Sequence, residues 1–164
     1  NIVDGVSKGY NWYLNSKQCG NGKTEWSAKL IRQYLIETWK TGSTTKCGAL
    51  FIEVPYFLQK LKENLNSKND YIEYIKENIE KADIVVWDDI GTKVATTFEM
   101  DMLFSIINRR INDGKCNIYT SNVLDFELQN ILGNRLYSRI INESIVITLQ
   151  GKDKRSLARE ESEY

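Results

Sequence analysis

The chain has 164 residues, 41% of them apolar, which is enough for one well-buried domain without disulfide staples. Lysine plus arginine balances aspartate plus glutamate at 22 each, so no global field announces a polyanionic partner, and any nucleic-acid site must be a local patch. Three cysteines (Cys19, Cys47, Cys116) lack metal spacing and there is no histidine, which argues for a reducing compartment and against a zinc site; with no membrane-length apolar run and no signal peptide visible, a bacterial cytoplasm fits best.

Asn1 to Gly9 reads as a polar lead-in carrying two glycines, and Tyr10 to Leu14 as a first strand. Next comes Lys17-Gln18-Cys19-Gly20-Asn21-Gly22-Lys23-Thr24, followed by a helical pattern to Lys40. Strand, glycine turn, helix is the layout of a phosphate-binding loop, in which backbone N–H groups and the helix N-terminus face an anion. Lys23 is then expected to reach the β- and γ-phosphates of a nucleotide and the Thr24 hydroxyl to ligate Mg²⁺, with Cys19, Gly20, Asn21, Gly22 and Glu25 completing the nucleotide-binding set. Lys17 stands where such loops usually have their first glycine, so the path before Gly20 is open. The competing reading is an ordinary glycine turn before a helix.

The helix ends at residues 41–45, with Gly42 as its expected cap. Cys47 to Val54 is a compact apolar run, expected to be a strand buried on both faces. Pro55, the only proline, suits the first turn of the next helix. Residues 55–82 read as two helices broken at Asn66-Ser67-Lys68-Asn69. The first carries Tyr56, Phe57, Leu58, Leu61 and Leu65 among lysines; the second carries Tyr71, Ile72, Tyr74, Ile75 and Ile79. Aromatics among lysines can stack bases and neutralise phosphates of single-stranded nucleic acid; equally, an amphipathic pair packs its aromatics on a sheet and leaves the lysines in water.

Asp83-Ile-Val-Val-Trp-Asp-Asp-Ile90 is a buried strand ending in two carboxylates. The C-terminal edge of a parallel sheet is where ligands bind. Asp88 is the residue expected to hold Mg²⁺ and Asp89 the one expected to orient the attacking water. A helix from Phe98 to Ile111 follows, with Asn108, Arg109 and Arg110 assigned to its polar face. Cys116 to Tyr119 is a further strand leading into Thr120-Ser121-Asn122. Asn122 is a candidate to bond the γ-phosphate or its water; the alternative is a helix cap by Ser121 or Asn122 for Leu124 to Leu132. Residues 133–140 read as helix, Ser144 to Leu149 as the last strand, and the charged tail from Gly151 carries Arg155, Arg159 and Glu160-Glu161.

Gly-Asn-Gly-Lys-Thr, Val-Val-Trp-Asp-Asp-Ile-Gly, Thr-Ser-Asn and Arg-Leu-Tyr-Ser-Arg-Ile, in that order, closely resemble the AAA+ domain of DnaC/DnaI-type bacterial helicase loaders, in a phage- or prophage-like version. The resemblance runs from about Tyr10 to Arg155. It implies an α/β P-loop NTPase fold, a three-layer sandwich with a five-stranded parallel sheet in the order 5-1-4-3-2 and no separate helical lid. It also implies an ATPase using ATP and Mg²⁺ that forms homo-oligomers around single-stranded DNA and delivers a ring-shaped, DnaB-type replicative helicase. Matched by motif, Lys23 and Thr24 are Walker A, Asp88 and Asp89 Walker B, Asn122 sensor 1, Arg139 the arginine finger and Arg155 sensor 2. Residues 55–81 take the place of the family's DNA-contacting insert. The chain begins at Asn1, and residues 1–164 are expected to be one ATPase domain, the C-terminal part of a longer loader without its helicase-binding N-terminal domain. Two rival functions stand beside this one. The first is an IstB-type transposition ATPase acting on duplex DNA, and the second a non-hydrolysing decoy or inhibitor of the loader.

Overall fold

In the computed structural model, residues 1–16, 20–42, 48–92, 95–123 and 125–150 are described. Lys17, Cys19, Cys47, Arg155 and the tail from residue 151 lie outside them.

Five strands and six helices follow in the order α1 (Ile2–Ser7), β1 (Asn11–Asn15), α2 (Lys23–Lys40), β2 (Ala49–Glu53), α3 (Val54–Glu63), α4 (Asp70–Asn78), β3 (Ile84–Asp88), α5 (Thr97–Asn112), β4 (Cys116–Thr120), α6 (Asp125–Asn142) and β5 (Ser144–Thr148). All pairings are parallel, and the sheet runs β2-β3-β4-β1-β5, which is the expected order read from the other edge. Parallel strands need crossovers, and helices supply them on both faces.

Alternation along the strands divides the core. Tyr13, Val85, Trp87 and Tyr119 face the larger cluster, packed by Phe57, Leu61, Ile72, Leu103, Ile107 and Leu136 from α3 to α6. Leu14, Ile84, Val86, Cys116 and Ile118 face the other side, met by Val6 of α1 and Tyr34 of α2. Both β3 and β4 are buried at every position. Burial in this apolar layer pushes the Cys116 thiol up to about 12, despite the nearby Arg110 charge, so it behaves as a small hydrophobe.

Three expectations need correction. The lead-in is a helix: Asn1 caps α1 through its side chain, and Val6 reaches the core. Its interior Gly5, which weakens the helical signal, is required by packing, since a Cβ there would lie 2.7 Å from the Trp12 ring. Strand β2 is not buried on both faces. Leu50 and Ile52 lie beneath α3, whereas Phe51 is 42% exposed, because only two helices cover the opposite face. Arg110 is not on a polar face but 1% exposed, in the core.

The remaining boundaries follow local chemistry. Pro55 stands in the first turn of α3, and Asn69 accepts from Tyr71 and Ile72 N–H to start α4. Thr96 and Glu99 form a reciprocal capping box on α5. Helix α6 is interrupted at Gly133 (φ 70°, ψ 158°), a conformation reserved for glycine.

Candidate functional site

Strands β1, β3 and β4 deliver their C-terminal ends side by side, and the candidate site is built there. Gly20 (φ 78°) and Gly22 (φ 87°) take left-handed backbone, curling the chain into the first turn of α2. Gly22 is the helix N-cap and provides no side chain, so the first N–H groups are not claimed by a cap. Lys23 opens the helix and is only 5% exposed. Its Nζ donates to Asn21 Oδ1 at 3.3 Å. Asn21 in turn donates to Ser16 Oγ and to the Leu149 carbonyl at 3.3 Å, tying the loop to the end of β1 and to the exit of β5. Glu25 is exposed and pairs with Lys29 at 2.5 Å, one turn along α2.

Thr24 faces Asp88, its Oγ1 at 3.1 Å from both carboxylate oxygens. A second hydroxyl, from Thr120 at the tip of β4, donates to Asp88 Oδ1 at 2.7 Å. The next residue, Asp89, is the one non-glycine with positive φ (57°) among the described residues. That conformation costs about 1–2 kcal/mol and needs external support. Support comes from Thr120 Oγ1, which accepts from Asp89 N–H at 2.9 Å, and from Asn122 Nδ2, which donates to Asp89 Oδ1 at 2.7 Å. Ser121 donates to the Ile90 carbonyl at 2.8 Å and accepts from Val123 N–H. The cap-like hydroxyl after β4 is therefore that of Ser121, and the Asn122 amide is turned toward Asp89.

Mg²⁺ takes oxygen ligands, demands octahedral geometry and keeps waters alongside one or two protein groups and substrate phosphates. Asp88 and Thr24 supply oxygen only, from a buried carboxylate and an adjacent hydroxyl, and no cluster of three or more His, Cys, Asp or Glu suited to a metal occurs among the described residues. The donor set thus fits a cation that shares its shell with phosphate and water, and does not fit an all-protein cage.

The structure brings Gly20, Asn21, Gly22, Lys23, Thr24, Asp88, Asp89 and Asn122 to one edge of the sheet. Arg139 lies apart from that group, in the second half of α6, bridged to Glu143 at 3.7 Å and lining an open cleft of about 480 Å³ with Phe104, Arg135 and Ser138. Arg135 stacks over the Phe104 ring at 4.3 Å. On α3 and α4 the apolar and aromatic side chains divide between core and surface. Phe57, Leu58, Leu61, Ile72 and Ile75 are core, whereas Tyr56 (41%) and Tyr74 (55%) stay exposed. Lys60 sits 5.5 Å over the Tyr56 ring.

Sequence reading missed Thr120, whose hydroxyl touches both aspartates. The signal was available: two hydroxylic residues at the tip of the strand beside a carboxylate pair. Gly91 entered only as the last residue of the Asp-Asp-Ile-Gly run, with no role attached. Its φ is 83°, and a Cβ there would meet Leu128 Cδ1 at 2.3 Å, so this glycine lets the first half of α6 close over the turn.

No protein-family model matches the chain. It is 26% identical over 130 residues to the replicative helicase loader DnaC of Buchnera aphidicola subsp. Baizongia pistaciae, a match spanning 78% of this chain and 49% of that protein. The chain therefore spans about half the length of the curated relative that it matches. Among solved structures, a DnaC helicase loader superposes with a TM-score of 0.72 at 18% identity, over 91% of this chain and 86% of that one. DnaI gives 0.72 at 20% identity over 91% and 81%. Domain III of the Thermotoga maritima replication initiation protein DnaA gives 0.72 at 22% identity over 99% and 66%. The chain has the AAA+ fold of the DnaC/DnaI-type helicase loaders. Within that fold the glycine turn leads into α2, and the aspartate pair ends the strand two places away from β1 in the sheet.

Proposed function

We propose that this chain is the ATPase domain of a longer helicase loader. It binds ATP with Mg²⁺, hydrolyses it, assembles with further copies on single-stranded DNA and delivers a ring-shaped replicative helicase. The observation that carries the reading is the link between Thr24 and Asp88, which joins the first turn of α2 to the carboxylate end of β3. That link is what a phosphate loop facing a metal-binding carboxylate requires, and a plain glycine turn has no need of it. The DnaC match and the DnaI and DnaA superpositions support the replication setting. One DnaA neighbour was solved with AMPPCP and single-stranded DNA, at a TM-score of 0.68 and 18% identity.

The residues divide the work as follows. Backbone N–H groups from Gly20 to Thr24 take phosphate oxygens at the helix N-terminus. Lys23, released from Asn21, places its ammonium on the β- and γ-phosphates. Thr24, hydrogen-bonded to Asp88, would with that carboxylate supply oxygen ligands to Mg²⁺. Bound Mg²⁺ would offset charge on the β- and γ-phosphate oxygens. Asp89 orients water for in-line attack and accepts its proton, while Asn122 fixes the direction of the Asp89 carboxylate. Arg139 acts on the nucleotide of a neighbouring copy, where it stabilises charge on the transferring phosphoryl group. Arg155 is proposed as the sensor 2 arginine.

The test is ATP turnover measured alone, with single-stranded DNA, and with a DnaB-type helicase, alongside co-elution of chain and helicase. Turnover stimulated by single-stranded DNA, with nucleotide-dependent capture of the helicase, is the expected result. Absence of nucleotide binding would remove the ATPase reading altogether. Turnover responding to duplex DNA alone, without helicase capture, would favour a transposition ATPase.

A further inference from the structure

Thr120 has one hydroxyl proton and a fully buried side chain, 0% exposed, at the tip of β4. Asp89 N–H can only donate, so Thr120 Oγ1 accepts there at 2.9 Å. Its own proton then goes to Asp88 Oδ1 at 2.7 Å, since the carboxylate can only accept. The polarity of this small chain is fixed: Asp89 N–H to Thr120 oxygen, Thr120 proton to Asp88. Thr120 holds the same turn a second time through its backbone, whose carbonyl accepts from Ile90 N–H at 2.9 Å. Asp89 is thus flanked on both sides by bonds to one residue of the neighbouring strand.

We propose that Thr120 is a positioning residue for the nucleotide reaction. Its hydroxyl couples the carboxylate that holds the cation, Asp88, to the backbone turn that aims the other, Asp89. The two aspartates are adjacent in sequence but need different directions, one toward the cation and one toward water. The left-handed backbone at Asp89 turns the chain between them, and the Thr120 hydroxyl registers the turn against Asp88. Thr24 holds Asp88 from the loop side, and Thr120 holds it from the sheet side. Both hydroxyls reach the same carboxylate, but of the two only that of Thr120 also holds the Asp89 backbone. The inference rests on the ATP–Mg²⁺ reading of the site.

The test is binding of a fluorescent ATP analogue across a Mg²⁺ titration and in EDTA, with melting curves and single-turnover hydrolysis. Thr120→Val keeps the shape and the backbone bond to Ile90 and loses only the hydroxyl. It should need about tenfold more Mg²⁺ for half-maximal effect, with affinity in EDTA within about twofold of wild type. Hydrolysis at saturating Mg²⁺ should also slow, because Asp89 loses its anchor. Thr120→Ser, which keeps the hydroxyl, should restore the Mg²⁺ curve, whereas a purely packing role, satisfied by the shape of Val, would leave Val unshifted and impair Ser. A folded Thr120→Val with an unshifted Mg²⁺ curve overturns the proposal, as does a Thr120→Ser shifted like Val. Should Thr120→Val fail to fold, Thr120→Cys, with a weaker donor of similar size, should shift the Mg²⁺ requirement by about threefold, and an unshifted curve overturns the proposal in that case too. Wild-type protein that binds no nucleotide at any Mg²⁺ concentration would instead refute the ATPase reading beneath it.

Discussion

Two buried polar clusters join β3 and β4 at opposite ends, and they are built on opposite principles. At the base, Arg110 donates from Nε to Asn117 Oδ1 (2.9 Å) and from its terminal nitrogens to the carbonyls of Ile79, Ala82 (3.0 Å) and Cys116 (2.8 Å). Asn117 also accepts from Trp87 Nε1 at 3.1 Å and donates to Asn11 Oδ1 at 2.9 Å. Donors from one helix meet acceptors from two segments, residues 79–82 and the start of β4, Asn117 carries the link on to β1 and β3, and the cluster is closed. At the tip, Asp88 gathers hydroxyls from Thr24 and Thr120. A carboxylate has about four acceptor sites, and hydroxyls rotate, so this cluster keeps room for an incoming cation or water. A network matched by its own chain holds a fold together; one that is matched by rotatable groups can exchange partners. The same two strands carry both.

The largest effect should come from breaking the closed end. Arg110→Ala leaves several buried carbonyls without donors and should cost about 3–5 kcal/mol, read as a fall in the denaturation midpoint. A loss under about 1 kcal/mol would mean that water replaces the guanidinium and that the base is not closed at all. At the open end, Lys23→Ala should cost about 2–4 kcal/mol of nucleotide affinity by calorimetry, because it removes a charge-assisted contact from a buried position. Its effect on folding should be much smaller, which is the reverse of Arg110.

The open cluster can itself be divided. Asp88→Asn should weaken Mg²⁺-dependent nucleotide binding, whereas Asp89→Asn should retain binding and slow single-turnover hydrolysis by about 10²-fold or more. Equal loss of binding in both variants would erase the distinction between them. Acid should separate Glu99 from both ends. Burial raises its pKa, but the Thr96 N–H, the Thr96 hydroxyl and Lys62 outweigh this and hold it below the usual value. Its stabilisation is therefore complete above the ordinary glutamate range, about 4.3, and is lost as pH falls through the depressed native value. The wild-type advantage over Glu99→Gln in melting experiments should shrink on acidification within that window. The smallest folding effect should be at Arg139, whose half-exposed bridge to Glu143 is worth about 0–1 kcal/mol. Arg139→Ala should melt like wild type yet lose ATP turnover in assemblies. Mixing it with Lys23→Ala subunits should recover some turnover where an intact site meets an intact arginine; co-assembled but inactive mixtures would rule out action in trans.

Most of the strands and the aspartate pair were legible in the sequence because each announces itself through pattern, apolar runs of strand length and carboxylates at a strand end, whereas the order of the strands in the sheet came only from the resemblance to the loader family. The closed cluster was not, because Arg110 was judged by residue type. Its position gave it away: Glu99, Leu103, Ile107 and Arg110 are the buried residues of α5, spaced four, four and three apart. Long side chains obey the helical face first and their polarity second, provided that partners exist. No local signal named those partners, since Ile79, Ala82 and Asn11 arrive from elsewhere in the chain. Helix α1 stayed hidden for a similar reason, its Gly5 being dictated by Trp12 in the next element. Thr120 escaped because its hydroxyl, visible in the sequence at a strand tip, points to a role only when set beside the carboxylate pair of the neighbouring strand.

The break at Gly133 divides α6 into two levers with a joint between them. The first lever is seated by Leu128 against Gly91, beside the aspartate turn; the second carries Arg135 and Arg139. In an unbroken helix, one substitution that rotates the shaft would swing every side chain along it. Here a change in the second lever can be absorbed at the joint before it reaches the first. Mutational drift on the arginine-bearing surface is thereby insulated from the carboxylates, so that surface can adapt to new neighbours while the sheet edge keeps its geometry.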